Sequence, residues 1–247
     1  MPIKTLLLSF AFSTCFFSAT PPSGEAIFRK MYDRYAGKWY PSFTFNQTTE
    51  VYRNDTLRRK ETWYEAMQFP GHFRIDFGDR DSGNAVIYTR DSAFTFRKGQ
   101  LRGVRKDAND LVFLLGGVYS FPYEESLAKL KALKYDMSLA HEDNWKGKPV
   151  YVIGAGKDNL SVNQLWIDKE KLFIVRMITF DNNRKEEALF EDHIPLGGGY
   201  TETKTIFYIN DKLVQVETYH DCKIPASLDP RVFDPASFGL VYYYDKK

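Results

Sequence analysis

Residues 148–190 most strongly constrain what this chain can fold into. Three apolar runs, at 150–153, 165–167 and 172–180, are separated by turn-forming residues, and a further turn at 181–183 precedes a fourth segment. This spacing predicts four consecutive antiparallel strands. Within residues 172–180, both alternating sets of positions are largely apolar, so both faces of the predicted sheet must be covered. A helix layer can cover one face, and the other needs a second sheet, a lid or an apolar ligand.

The length allows one large β-rich domain or two small ones, and one domain is the simplest interpretation because no sequence repeat or low-complexity linker is present. The chain has 247 residues, and its 20 Phe, 16 Tyr and 4 Trp suit strands and extensive apolar surfaces. A formal net charge of +2 is too small to indicate nucleic-acid binding or a polybasic membrane anchor. After residue 19, no segment is long and apolar enough to span a bilayer.

The first twenty residues have the pattern of a secretory signal peptide. Lys4 provides a short basic region, and residues 6–19 form an apolar stretch that is too short for a comfortable transmembrane helix. We therefore expect residues 1–20 to be removed and residues 21–247 to form one exported, periplasmic domain. Alternatively, Cys15 is lipidated and anchors the protein to a membrane. Either way, Cys222 has no intramolecular disulfide partner in the mature chain.

The remaining periodicity predicts a mainly β protein with a few helices. An apolar stripe predicts an N-terminal helix at 25–35, and two further helices are expected near 109–119 and 122–134. Turn residues predict strand hairpins around positions 53–55 and 210–211. At least five strands are expected between residues 42 and 96.

No motif points to catalysis, a metal or a cofactor. Residues 154–157, Gly-Ala-Gly-Lys, follow a strand but lack the remaining residues of a dinucleotide or phosphate-binding loop, so we interpret them as a hairpin turn. The four histidines are far apart and form no ligand pair of metal-site spacing. No nucleophile elbow is present. We therefore expect a protein that is not an enzyme and has no cofactor.

The predicted N-terminal amphipathic helix is followed by several short motifs. These motifs are Phe45-Asn46-Gln47, Pro70-Gly71-His72-Phe73-Arg74, the apolar segment at 110–115, Leu165-Trp166-Ile167-Asp168 with its neighbouring strands, and Val232-Phe233-Asp234-Pro235. In this order, over roughly residues 25–238, they resemble the LolA/LolB-like superfamily of bacterial periplasmic carriers of outer-membrane lipoproteins. Phe69 stands where proteobacterial members carry an arginine, so the arginine-controlled lid of the family cannot be carried over.

The resemblance implies a strongly curved antiparallel sheet that forms an incomplete barrel, with the N-terminal helix and two short central helices on its concave side. It also implies an apolar cavity that binds acyl chains of lipoproteins or other lipids and carries them toward the outer membrane. Expected partners are the acyl chains, an inner-membrane donor and an outer-membrane acceptor, with the carrier itself a monomer. Each buried methylene contributes about 0.8 kcal/mol of binding free energy, so an apolar cavity can bind an acyl chain tightly without any catalytic step.

Two sets of residues are candidates for this cavity. The apolar strand residues expected to line it are Phe73, Ile75, Phe77, Phe94, Phe96, Val152, Leu165, Ile167, Val175 and Met177. The residues expected to form a lid helix are Leu111, Val112, Phe113, Leu114 and Leu115. Two other functions stay open: a lipid-sensing envelope regulatory module, and a hydrolase of envelope glycans or lipids.

Overall fold

Antiparallel strands are the main elements of the computed structural model, which describes residues 22–107, 109–181 and 183–244. The predicted signal peptide and Cys15 lie outside these residues. In chain order, the strands are β1 (Ser42–Arg53), β2 (Thr56–Gln68), β3 (His72–Phe77), β4 (Ala85–Tyr88), β5 (Ser92–Arg97), β6 (Gln100–Lys106), β7 (Ala140–Trp145), β8 (Lys148–Ile153), β9 (Gln164–Asp168), β10 (Ile174–Asp181), β11 (Arg184–Glu191), β12 (Ile194–Leu196), β13 (Gly199–Thr201), β14 (Lys204–Ile209) and β15 (Lys212–Lys223).

Thirteen strands form one sheet in the order β6-β5-β4-β3-β2-β1-β15-β14-β11-β10-β9-β8-β7, and β12 pairs with β13 separately. Pairing between β1 and β15 joins two meanders, one ending at β6 and the other at β7. These two edge strands do not pair with each other, so the curved sheet is an incomplete barrel, as expected. Strands β8 to β11 confirm the meander predicted at residues 148–190.

The hairpin turns form where Asn and Asp occur together. Asn54 and Asp55 have φ values of 51° and 56°, and Asn210 and Asp211 have values of 48° and 62°. Asn and Asp visit this left-handed region more readily than other residues with a side chain. Two successive positive φ values match the twist of a two-residue hairpin. Both predicted hairpins, β1–β2 and β14–β15, are confirmed.

Helices cover the concave side of the sheet. They are α1 (Gly24–Tyr35), α2 (Asp110–Leu114) and α3 (Tyr123–Ala132). The Ser23 hydroxyl accepts a hydrogen bond from the backbone N–H of Ala26 at 3.2 Å and so caps α1. The buried sides of α1 and α3 pack against Leu165 and Ile167 of β9 in the largest apolar cluster. Within the described ranges, no helix has the length and apolar character needed to cross a membrane.

The C-terminal segment covers the opposite face of the first meander. It contains two 3-10 helices, Pro230–Phe233 and Pro235–Ser237. Phe233 packs in a cluster with Ala66 of β2, and the Phe238 ring stacks on Phe96 of β5 with 4.0 Å between centroids. This half of the sheet therefore has protein on both faces.

Candidate functional site

A groove of about 630 Å³ lies on the helix-covered side of the sheet, between α2, the end of α3 and strands β10, β11, β14 and β15. This volume is within the usual range for small-molecule sites. Its apolar wall combines helix and strand residues, namely Leu111, Leu114, Ala132, Leu133, Met177, Ala188, Phe207, Ile209 and Val214. A strip of the apolar inner face is therefore left open by the helices.

Helix α2 forms one wall of the groove. The Asn109 side-chain oxygen accepts hydrogen bonds from the backbone N–H groups of Leu111 and Val112, at 3.1 and 3.2 Å, and so starts the helix. Val112 packs in an apolar cluster with Phe73 and Ile75 of β3, whereas Leu111 faces the groove. A five-residue helix has little stability of its own, so these contacts hold α2 in place.

The rim of the groove is polar. It includes the carboxylates of Asp107, Asp110 and Asp181 and the ammonium group of Lys134. Burial, with a smaller contribution from the nearby Asp107 carboxylate, raises the pKa of Asp110. An apolar wall with a charged rim suits a ligand that has an apolar body and a polar end.

Three buried carboxyl groups lie close together in the sheet that carries the groove. They belong to Glu65 on β2, Glu217 on β15 and Glu202, which precedes β14. The Gln215 amide and the Tyr219 hydroxyl donate hydrogen bonds to the Glu217 carboxylate at 2.6 and 3.2 Å, but no ion pair to any of the three carboxyl groups forms within the described parts of the chain. Burial raises the pKa of all three, that of Glu202 to about 7. Gln215 also lines the groove, so this cluster borders it.

The structure places six of the ten predicted cavity residues on the helix-covered face. These are Phe73, Ile75, Phe77, Leu165, Ile167 and Met177. Of the ten, Met177 is the residue that lines the groove. Leu165 and Ile167 are buried beneath the helices, and Phe73 and Ile75 pack against Val112.

The five predicted lid residues all contact the inner side of the sheet or its helix layer. Leu111 and Leu114 line the groove, and Val112 is buried against β3. Phe113 is buried in the main core, and Leu115 packs against that core. Their motion as a lid stays a prediction.

The other four predicted cavity residues lie on the opposite face, so placing them in one cavity with Phe73 was wrong. These residues are Phe94, Phe96, Val152 and Val175. Adjacent strand residues point to opposite faces, and a bulge between Ile174 and Arg176 changes the alternation along β10. Where both alternating sets are apolar, the sequence alone does not separate the faces.

On the central meander, no ligand is needed to cover that opposite face. Trp145 and Trp166 pack there with their ring centroids 5.5 Å apart. The guanidinium carbon of Arg176 lies 4.4 and 4.6 Å from the two ring centroids, and its Nε donates to the Glu187 carboxylate at 2.7 Å. The second apolar face is therefore closed by side chains of the sheet itself, which corrects the expectation that it needs a second sheet, a lid or an apolar ligand.

Several groove residues were missed from the sequence. Ala188, Phe207 and Val214 come from β11, β14 and β15, which were predicted as strands but were not assigned to the cavity. Their common location depends on the pairing of β11 with β14 across the intervening β12 and β13. Residues 206–209 are Ile-Phe-Tyr-Ile, so alternation does not show which face Phe207 occupies, and nothing local shows which strand lies beside it.

Within the described residues, no group of His, Cys, Asp and Glu side chains has the arrangement of a metal site. No protein-family model matches the chain. No curated protein matches it in sequence.

Solved structures do match it. A DUF1329 family protein from Desulfovibrio piger aligns with a TM-score of 0.63 and 14% identity, covering 89% of this chain and 100% of that one. A LolA superfamily protein from Nitrosomonas europaea aligns with a TM-score of 0.57 and 14% identity, covering 86% of this chain and 97% of that one. A predicted outer membrane lipoprotein-sorting protein domain from Vibrio parahaemolyticus aligns with a TM-score of 0.60 and 12% identity, covering 87% of this chain and 97% of that one. The chain therefore has the half-barrel fold shared by these LolA superfamily and DUF1329 proteins.

Proposed function

We propose that this protein is an exported carrier that binds an acyl chain of a lipoprotein or another lipid in the groove beneath α2 and moves it through the periplasm. The observation that carries the proposal is the open apolar strip formed by α2 and strands β10, β11, β14 and β15. The neighbour from Vibrio parahaemolyticus is named for outer membrane lipoprotein sorting, which supports a lipidated cargo.

Burial of apolar surface is sufficient to hold such a ligand. Each methylene removed from water contributes about 0.8 kcal/mol, so eight methylenes would offset about 6 kcal/mol of the cost of association. The charged rim, which includes Asp107 and Lys134, would keep the polar end of the lipid in water. The proposal assigns no chemical step to the groove.

Helix α2 is the element proposed to move when cargo enters. Its contacts with the sheet are side-chain packing by Val112 and its neighbours, and its own backbone forms little more than one turn. Displacing it would extend the groove toward Phe73 and Ile75 of β3. The cargo would then contact more of the predicted residues than the present groove exposes.

Met177→Glu should weaken the binding of a fluorescent fatty acid by at least about tenfold, because it places a carboxylate on the apolar wall. The measurement is a fluorescence titration of the purified protein. Val175→Glu is the matched control, since Val175 is on the same strand but packs near Trp166 on the opposite face. Thermal unfolding of both variants shows that they are folded. Equal affinities for Met177→Glu and the unmodified protein would refute binding in this groove.

A further inference from the structure

The β5–β6 hairpin concentrates positive charge that the net charge of the whole chain conceals. Residues 92–106 contain five basic residues and no acidic residue, although the complete chain has a formal net charge of only +2. The basic residues are Arg97, Lys98, Arg102, Arg105 and Lys106. The prediction that no polybasic membrane anchor is present rests on the net charge of the whole chain, which averages out this local concentration of basic residues.

The hairpin is also unusually open. Every residue of β6 is exposed, and β6 is an edge strand of the large sheet. Leu101 and Val104 are 50% and 57% exposed, so two large apolar side chains of this one strand face solvent. Strand pairing sets them opposite Phe96 and Phe94, so both lie on one face, together with Lys106 opposite Ser92.

Most of these cations are unpaired. Arg105 Nε donates to the Asp107 carboxylate at 2.7 Å. Arg97, Lys98, Arg102 and Lys106 form no ion pair with any described residue. Charges on an edge strand prevent it from pairing with other strands. That role does not require a single sign of charge, and it does not account for the two exposed apolar side chains among the cations.

The hairpin borders the groove. Arg105 Nη2 donates to the Tyr88 hydroxyl at 3.3 Å, and both Tyr88 and Asp107 line the groove. Only the Arg105 side of β6 therefore adjoins the groove, whereas Leu101, Val104 and Lys106 lie on the opposite face of the strand.

We propose that the β5–β6 hairpin docks on an anionic lipid bilayer. Lys98, Arg102 and Lys106 face the lipid phosphates, while Leu101 and Val104 enter the boundary between headgroups and acyl chains. Basic side chains interleaved with exposed apolar ones are the combination that binds membrane interfaces. This docking goes beyond the proposed function and does not depend on which molecule occupies the groove.

The test is sedimentation of the mature protein with vesicles of phosphatidylcholine alone or mixed with phosphatidylglycerol. The unmodified protein should bind the anionic vesicles at least about tenfold more tightly, and added salt should reduce this binding. The variant K98E/R102E/K106E should lose that preference. The variant L101S/V104S should retain the salt dependence and bind more weakly.

The matched control is K30E/K148E/K157E, which makes the same change in net charge at exposed positions outside the hairpin. It should bind anionic vesicles within about twofold of the unmodified protein. All of these variants should bind the fluorescent fatty acid normally, so failure of docking is distinguishable from failure of the groove. Equal binding to neutral and anionic vesicles, no vesicle binding, or equal losses in the hairpin and control triple variants would overturn the proposal. A protein that bound no vesicle but captured an acidic protein would show that the hairpin has a protein partner instead.

Discussion

Arg74→Met should lower the free energy of unfolding by about 3–5 kcal/mol, because it leaves a buried carboxylate without its cation. The Arg74 side chain is 0% exposed and that of Asp76 is 9% exposed. Arg74 Nε and Nη2 donate to the two Asp76 carboxylate oxygens at 2.8 and 2.9 Å. The remaining guanidinium nitrogen donates to the backbone oxygens of Val232 and Val241 at 3.3 and 3.1 Å. The pair therefore attaches the C-terminal segment to the sheet.

Denaturant unfolding of purified variants checks this prediction. Arg74→Met combined with Asp76→Leu should lose less free energy than Arg74→Met alone, since the second change removes the unpaired charge. Arg231→Met is the control, because its pair with Asp229 is exposed and should contribute less than about 1 kcal/mol. Similar losses for Arg74→Met and Arg231→Met would contradict the structural role assigned to Arg74.

The free energy of unfolding should fall as pH rises from about 4.5 to above 7, and Glu202→Gln should reduce this fall. Burial raises the pKa of Glu202 from 4.5 to about 7, and it also raises the pKa values of Glu65 and Glu217. Between the unfolded and folded pKa values, the folded state binds more protons than the unfolded state. The stabilising contribution of these three carboxyl groups is therefore complete below the unfolded pKa and is lost as pH rises through the folded pKa. For Glu202 alone, the loss is on the order of 3 kcal/mol.

The measurement is denaturant unfolding at a series of pH values, with Glu202→Gln compared to the unmodified protein. Glu186→Gln is the control, because that side chain is about half exposed in its pair with Arg184. Glu186→Gln should leave the pH dependence of the free energy of unfolding unchanged. Parallel pH profiles for Glu202→Gln and the unmodified protein would show that folding does not raise the pKa of the Glu202 carboxyl group.

Local sequence patterns predicted the strands, helices and turns better than they predicted which face of each strand points inward. The turns at Asn54 and Asn210 depend on neighbouring residues, so the sequence contains the information that forms them. The inward face of a strand depends on what packs against it from distant parts of the chain. Phe94 and Phe96 therefore looked like cavity residues, although the C-terminal segment covers them.

The buried charges were harder to foresee than the apolar core. Arg74 and Glu202 look like ordinary solvent-facing residues, because charged residues are rarely fully buried. Arg74 donates hydrogen bonds to the backbone of the C-terminal segment, and Glu202 lies near the buried carboxyl groups of Glu65 on β2 and Glu217 on β15. Both contacts join residues that are far apart in sequence, so no short pattern marks them.

The most direct test of the carrier proposal is native mass spectrometry of the mature protein purified from the periplasmic fraction of an expressing bacterium. We expect a bound mass that organic solvent extracts as a fatty acid, phospholipid or lipopeptide, and that is reduced in Met177→Glu but not in Val175→Glu. A protein without any adduct that also takes up no added fatty acid or lipopeptide would contradict the proposal.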